Sequence, residues 1–144
     1  MARKVRSEIE IEAPLEYVWE ILTDLGGYAA WNPFTPRAES TLRVGDPIHL
    51  DVRLTGEKIS RSVDTITAME PGKALCWHMK VGASFLLVAE RCQTLVALDG
   101  DRTLYRSEEH TTGVLAPLLM LLYGAAMQRG FDDCAAGLKR HAES

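Results

Sequence analysis

Residues 114–138 read VLAPLLMLLYGAAMQRGFDDCAAGL, and their apolar side chains recur at the spacing of one long amphipathic helix. One face is apolar along the whole segment, which predicts that it packs on the body of the protein. A second apolar face stops halfway, where Arg129 and Asp133 follow. Either the first half of the helix is fully enclosed, or the second face meets a cavity, a partner or a lipid. The first face consists of Met120, Tyr123, Gly124, Met127, Phe131, Cys134 and Leu138, and the second of Leu115, Leu118, Leu119, Leu122 and Ala126.

Length and composition indicate an ordinary globular protein. The chain has 144 residues, of which 47% are hydrophobic and 25% charged, and this balance predicts a single domain over residues 1–144. The net charge is -4, and the lysines and arginines are scattered. Since no basic stripe is present to follow a phosphate backbone, we expect no nucleic-acid partner.

The sequence predicts neither a membrane span nor a targeting segment. The longest apolar run, residues 114–127, is about four residues shorter than the roughly 18 that a bilayer requires, and Pro117 and Gly124 interrupt it. The charged start MARKVRSEIEIEAP lacks an apolar centre, so we expect a cytoplasmic protein.

The cysteines do not suggest a metal or redox site. Cys76, Cys92 and Cys134 have neither metal-type nor redox-type spacing, and their odd number fits a reducing compartment. We therefore interpret all three as small apolar residues that fill the core.

The N-terminal third predicts a strand followed by two helices. Residues 4–12 alternate apolar and polar side chains, as in a half-buried strand. Pro14 suits a first helical turn, and apolar spacing then predicts a helix of about ten residues that ends before Gly26. The aromatic segment 28–34 predicts a short helical turn that packs inward, because its prolines exclude a longer helix.

The middle of the chain predicts a meander of strands before the last helix. Alternating segments lie at 48–54, 59–68, 75–81, 89–98 and 102–111, and Thr112 and Gly113 are positioned to cap the helix. The predicted fold class is therefore α+β: a curved antiparallel sheet of about seven strands wrapped around a long C-terminal helix, with two short helices after the first strand. A gap between such a sheet and its helix is a natural ligand cavity.

Four strings at matching positions resemble a known superfamily along nearly the full chain. The string Trp31-Asn32-Pro33-Phe34 is the most specific, and the others are 11–19, 70–77 and 108–118. On these residues the chain is similar to the START-like (SRPBCC) helix-grip superfamily, in its polyketide cyclase/dehydrase-like branch, which is related to birch-pollen-allergen (Bet v 1) proteins. The resemblance implies a deep cavity between the sheet and the terminal helix, lined by apolar side chains. A protein that binds an apolar small molecule there would need no cofactor or metal. The resemblance does not imply a reaction, because the superfamily includes carriers, quinone-binding proteins and a minority of enzymes.

The polar residues of the last two strands are the candidates for chemistry. If their odd-numbered side chains face inward and Asp99-Gly100-Asp101 forms a three-residue loop, Arg91 lies opposite Glu109 inside the cavity. A two-residue turn would instead place Arg91 opposite Glu108 in solvent. In the first case, the pair would be either an internal tether or an anchor for a polar group of the ligand.

Catalytic and metal-binding motifs are not evident. His49, His78, His110 and His141 are dispersed, and we expect them to be exposed and to bind no metal. Glu109 is the one candidate for an acid or base. The predicted ligand-binding residues are Trp31, Phe34, Leu50, Trp77, Phe85, Arg91, Gln93, Tyr105, Ser107, Glu109, Tyr123 and Met127, and the apolar segment 85–87 is expected to form a gate over the cavity mouth.

Three functions are compatible with these features. The leading hypothesis is a protein that binds a hydrophobic small molecule, such as a lipid, quinone, sterol-like or polyketide-like ligand. The second is a cyclase/dehydrase-like enzyme that uses Glu109. The third is an interaction module, possibly a homodimer, formed through the second apolar face of the last helix.

Overall fold

The computed structural model describes residues 3–144. The segments in which apolar and polar side chains alternate form one seven-stranded antiparallel sheet. The strands follow the order β1-β7-β6-β5-β4-β3-β2, so the chain from β2 onward is a meander and β1 pairs with the last strand. The sheet is curved, and its concave face covers the long C-terminal helix. The strands are β1 Arg3–Ile11, β2 Arg37–Ser40, β3 Pro47–Val52, β4 Ser60–Glu70, β5 Ala74–Val81, β6 Leu87–Asp99 and β7 Arg102–Thr112.

Two short helices and one long helix complete the chain. Helix α1 spans Leu15–Thr23, a 3₁₀ helix spans Leu25–Ala30, and α2 spans Ala116–Glu143. The second short helix therefore lies a few residues before the predicted segment 28–34. The predicted cap of α2 is also wrong, because Thr112 still belongs to β7 and Leu115 occupies the cap position.

The burial of α2 changes halfway along the helix. Phe131, Cys134 and Leu138 are buried on the first apolar face, as predicted. Leu118 and Leu122 on the second face are 53% and 61% exposed, and Leu121, which belonged to neither predicted face, is 82% exposed. The second half of the helix thus closes the core, while the first half presents leucines at the surface.

The register of β6 and β7 places Arg91 directly opposite Glu109. The connecting turn contains only residues 100 and 101, but a β-bulge between Ala97 and Asp99 adds one residue to β6. The bulge restores the register that a three-residue loop would have produced. Odd-numbered side chains of both strands therefore face inward.

Cys76 and Cys92 form a disulfide, which corrects the interpretation of all three cysteines as core fillers. The two residues lie directly opposite each other on β5 and β6, with Cα atoms 4.1 Å apart. Successive side chains of a strand point to opposite faces of the sheet, and Trp77 and Arg91, which follow and precede the two cysteines, face inward. The disulfide therefore lies on the convex face of the sheet. Cys134 is free and buried.

The segment after the 3₁₀ helix packs tightly on α2. The backbone of Trp31 and the ring of Phe34 approach two glycines of the helix, Gly137 and Gly130 respectively. A side chain at either glycine would overlap with these groups. These small residues therefore let the Trp31–Phe34 segment close one end of the space beneath the sheet.

None of the helices in the described residues is long and apolar enough to cross a membrane.

Candidate functional site

A cavity of about 320 Å³ lies between the concave face of the sheet and the first half of α2. Its wall is mostly apolar, and strands β3 to β7, the Phe34 segment and the helix all contribute to it. The volume is within the range of small-molecule binding sites. The lining residues are Phe34, Thr35, Leu50, Val52, Leu54, Ser60, Arg61, Ser62, Asp64, Trp77, Met79, Ala89, Arg91, Glu109, Leu119, Met127 and Phe131.

The cavity reaches the surface beside the β3–β4 connection. Ser60 and Arg61 belong to its wall and are exposed, whereas Trp77 and Ala89 farther inside are buried. The predicted gate at residues 85–87 does not lie at this opening. The backbone carbonyls of Phe85 and Leu86 instead accept hydrogen bonds from the chain just before α2, and thereby attach the β5–β6 loop to the start of the helix.

Arg91 lies at the inner end of the cavity among aromatic rings. Its side chain is buried, and its guanidinium carbon lies 4.3 Å from the centroid of the Phe131 ring. The rings of Phe34 and Trp77 lie 5.7 and 5.8 Å from the same carbon. These distances allow cation–π attraction, which partly offsets the cost of burying the charge.

Arg91 does not form the predicted ion pair with Glu109. Its Nε donates a hydrogen bond to Ser107 Oγ at 3.0 Å, and Nη2 contacts Cys134 Sγ at 3.7 Å. Within residues 3–144, no carboxylate is among its hydrogen-bond or ion-pair partners, because the guanidinium contacts Ser107 on β7 and Cys134 on α2 instead of Glu109. Two of its five N–H donors are used in these contacts. The cation therefore lies at the cavity without a contacting counter-ion.

Glu109 presents a carboxyl group to the same cavity. Its Oε2 atom is buried and has no hydrogen-bond partner among the described residues. Burial raises the pKa of Glu109 to about 7, and the nearby Arg91 and Asp64 charges act in opposite directions on it. This carboxyl group therefore titrates near neutral pH, well above the ordinary range of a glutamate.

Asp64 is a second acid in the cavity wall. Its carboxylate accepts a hydrogen bond from Ser62 Oγ, and burial raises its pKa above the ordinary value. Ser62 and Asp64 make the β4 side of the cavity polar, in contrast to the apolar β3 side.

A buried hydrogen-bond network lies beneath Arg91. Tyr105 donates a hydrogen bond to Gln93 Oε1 at 2.6 Å, and Ser107 accepts the bond from Arg91 described above. Gln93, Tyr105 and Ser107 are buried on the inner face, as their odd-numbered phase predicted, but they do not line the cavity. Of the three, Ser107 contacts Arg91 directly, while Tyr105 contacts Cys134, which Arg91 also contacts.

The predicted binding residues thus fall into three groups. Phe34, Leu50, Trp77, Arg91, Glu109 and Met127 line the cavity. Gln93, Tyr105 and Ser107 lie behind it. Trp31 packs in the core, Tyr123 is half-buried outside the cavity wall, and Phe85 is 69% exposed.

Sequence reasoning missed several wall residues. Val52 and Leu54 continue the even-numbered apolar phase of Leu50, so that phase was a usable signal. Ser60, Ser62 and Asp64 carried no such signal, because polar residues on the inner face of a strand have the same pattern as residues in solvent.

The histidines are only partly as predicted. His49 and His110 are exposed, whereas His78 and His141 are half-buried. Residues 3–144 contain no group of three or more histidine, cysteine or acidic side chains placed to hold a metal ion.

Together, the curved sheet, the terminal helix and the cavity between them define a START-like helix-grip protein. Residues 2–143 match the family model described as "Polyketide cyclase / dehydrase and lipid transport", and the chain belongs to this family. Comparison with curated proteins found no match.

Solved structures share the fold at low sequence identity. The protein TTHA0849 from Thermus thermophilus is 18% identical, with a TM-score of 0.74 and coverage of 97% of each chain. A START superfamily protein from Mycobacterium smegmatis is 20% identical, with a TM-score of 0.72 and coverage of 97% of each chain. The Zhui aromatase/cyclase from Streptomyces sp. R1128 is 18% identical, with a TM-score of 0.66 and coverage of 98% of this chain and 96% of that one.

Proposed function

We propose that this protein binds a hydrophobic small molecule in the cavity between the sheet and α2. The observation that carries the proposal is a cavity of about 320 Å³ with an apolar wall and two ionisable groups, Arg91 and Glu109, at its inner end. Apolar walls supply most of the binding free energy through burial, while a few polar groups orient the ligand. Native mass spectrometry of protein purified from its own host would identify a ligand that copurifies with it.

A substitution that fills the cavity is expected to abolish binding. Ala89 is buried in the cavity wall, so the ring in Ala89→Phe would occupy the space of a ligand. With 1-octanol as the probe, we expect isothermal titration calorimetry to show affinity at least about tenfold weaker, because most of the apolar contact is lost.

The matched control makes the same change on the same strand outside the cavity. Ala97 is exposed near the end of β6, and Ala97→Phe is expected to leave octanol binding unchanged. Equal affinities of both variants and the wild type would show that octanol binds elsewhere and would contradict the proposal. Urea unfolding of both variants would verify that each remains folded.

Glu109 favours a second candidate function, the cyclisation or dehydration of a polyketide-like substrate. A carboxyl group whose pKa is about 7 can both accept and donate a proton at neutral pH. If the protein is such an enzyme, Glu109→Gln is expected to lower kcat by about 100-fold or more without loss of substrate binding. Glu108→Gln on the opposite face is the control, and unchanged turnover in Glu109→Gln would exclude this role.

Two narrower proposals concern assembly and location. The exposed face formed by Leu118, Leu121 and Leu122 supports a homodimer, and sedimentation of wild type and Leu118→Glu would test it.

We also propose a cytoplasmic location. Immunoblotting of fractionated cells should find the protein in the cytoplasmic fraction, and its recovery in another fraction would contradict this location.

A further inference from the structure

The charges at the inner end of the cavity are not balanced by contacts within the described residues. Arg91 is permanently charged and buried, and its partners are a hydroxyl, a thiol and aromatic rings. A buried cation ordinarily has a contacting anion, since desolvation of an isolated charge is costly. The donors that Arg91 does not use are therefore available to a ligand.

The unpartnered oxygen of Glu109 is the second half of this arrangement. Arg91 and Glu109 lie directly opposite each other on neighbouring strands, and both line the cavity. Oε2 of Glu109 is buried without a hydrogen-bond partner in residues 3–144, although the Arg91 side chain starts from the facing position. When protonated, this carboxyl group is a hydrogen-bond donor rather than a competing anion.

We propose that the ligand of this cavity is an apolar molecule with one carboxylate group, which accepts hydrogen bonds from Arg91 and from protonated Glu109. This inference rests on the proposed function and specifies its ligand class. The ligand carboxylate supplies the counter-ion that Arg91 lacks, and the apolar remainder lies along the cavity wall. An alcohol of the same length supplies no charge and is bound more weakly.

Proton uptake follows from this arrangement. The pKa of Glu109 is about 7 in the free protein, and the carboxyl group is protonated in the complex, so binding near and above that pH takes up protons. Above pH 7, the affinity falls by up to about tenfold per pH unit, because each complex then requires one additional proton.

The contribution of Glu109 to proton uptake must be distinguished from that of the other charged groups around it. Arg91 on β6, and Asp64 and Arg61 on β4, face the same cavity, while β1 presents the apolar Val5 opposite Glu109. The cavity-lining residues of α2 are uncharged. Asp64→Asn removes a charge that raises the pKa of Glu109, so this variant tests that contribution, while Glu108→Gln on the convex face is the control outside the cavity.

Isothermal titration calorimetry with sodium octanoate and 1-octanol tests the proposal. Titrations from about pH 6 to about pH 9, in buffers of different ionisation heat, report both affinity and proton uptake. Because octanoate stays ionised over this range, any proton that is taken up binds to the protein. For wild type we expect octanoate to bind at least about tenfold more tightly than octanol at pH 6, because one charge-assisted hydrogen bond contributes about that difference in affinity.

The variants assign the effect to each group. Arg91→Met is expected to weaken octanoate binding by about 10- to 100-fold and to leave octanol binding nearly unchanged. Glu109→Gln should bind octanoate without proton uptake and without pH dependence. Asp64→Asn should move the pH dependence to lower pH, because the Asp64 charge raises the pKa of Glu109, and Glu108→Gln should leave proton uptake and pH dependence unchanged.

The results also distinguish this inference from the proposed function. Equal affinity for octanol and octanoate, or octanoate binding without proton uptake, would overturn the carboxylate inference, while octanol binding that Ala89→Phe abolishes would still support the cavity. If neither probe bound to the wild type, both the inference and the proposed function would fail.

Discussion

Gly137→Ala is expected to lower the free energy of unfolding by about 3 kcal/mol, a large effect for one added methyl group. The new Cβ would overlap with the carbonyl oxygen of Trp31. The carbonyl belongs to the backbone, and the position of a Cβ is fixed by the backbone to which it is attached, so no rotamer change relieves the overlap and α2 must shift away from the Trp31–Phe34 segment. Urea unfolding monitored by tryptophan fluorescence measures the change.

Gly124→Ala makes the same substitution in the same helix and is expected to have the opposite sign. The nearest atom to its Cβ is the methyl carbon of Met120 at 3.3 Å, which is the end of a flexible side chain. Because alanine favours the helix over glycine, the variant should gain up to about 1 kcal/mol. Equal effects at both positions would show that helix propensity, rather than the close contact at Gly137, determines the result.

The fold was predictable because most strands alternate cleanly. The odd-numbered inward phase of β5 could be extended to β6 and β7, and it correctly placed Arg91 and Glu109 on the same face. Strand β2, Arg37–Ser40, was not located, because four mostly polar residues at a sheet edge carry almost no periodic signal. Likewise, the pairing of Cys76 with Cys92 depends on strand register and not on sequence spacing.

The candidate site was predictable only in part. Strand phase indicates which side chains point inward, and it identified the two ionisable groups at the inner end. It does not indicate which inward side chains reach empty space, and this is why Gln93 and Tyr105 were assigned to the cavity although they lie behind it. Nor does phase determine side-chain direction, so the bend of Arg91 toward Phe131 required the structure.

Glu109→Gln is expected to stabilise the protein by about 3 kcal/mol above pH 7. The pKa of Glu109 is raised from an ordinary value of 4.5 to about 7 in the folded protein, chiefly because the carboxyl group is buried. Between these two values the folded state binds more protons than the unfolded chain, so the free energy of unfolding falls as the pH rises. The loss is complete above about pH 7 and amounts to about 1.4 kcal/mol per pKa unit.

The adjacent glutamate should respond with the opposite sign. Glu108 lies on the convex face, where Lys4 approaches it at 3.0 Å and lowers its pKa. Glu108→Gln should therefore lose up to about 1 kcal/mol at neutral pH, and this difference should disappear in acid as the wild-type carboxylate is protonated.

Urea unfolding of wild type and both variants at about pH 4.5 and about pH 8 measures the two effects together. At the lower pH, where the Glu109 carboxyl group is protonated, Glu109→Gln should be as stable as wild type. At the higher pH the variant should be more stable, because its neutral amide avoids burying a charge that Arg91 does not contact. Equal stability of Glu109→Gln and wild type at both pH values would mean that the Glu109 carboxylate is well solvated in the empty cavity, and would remove the basis for proton uptake on ligand binding.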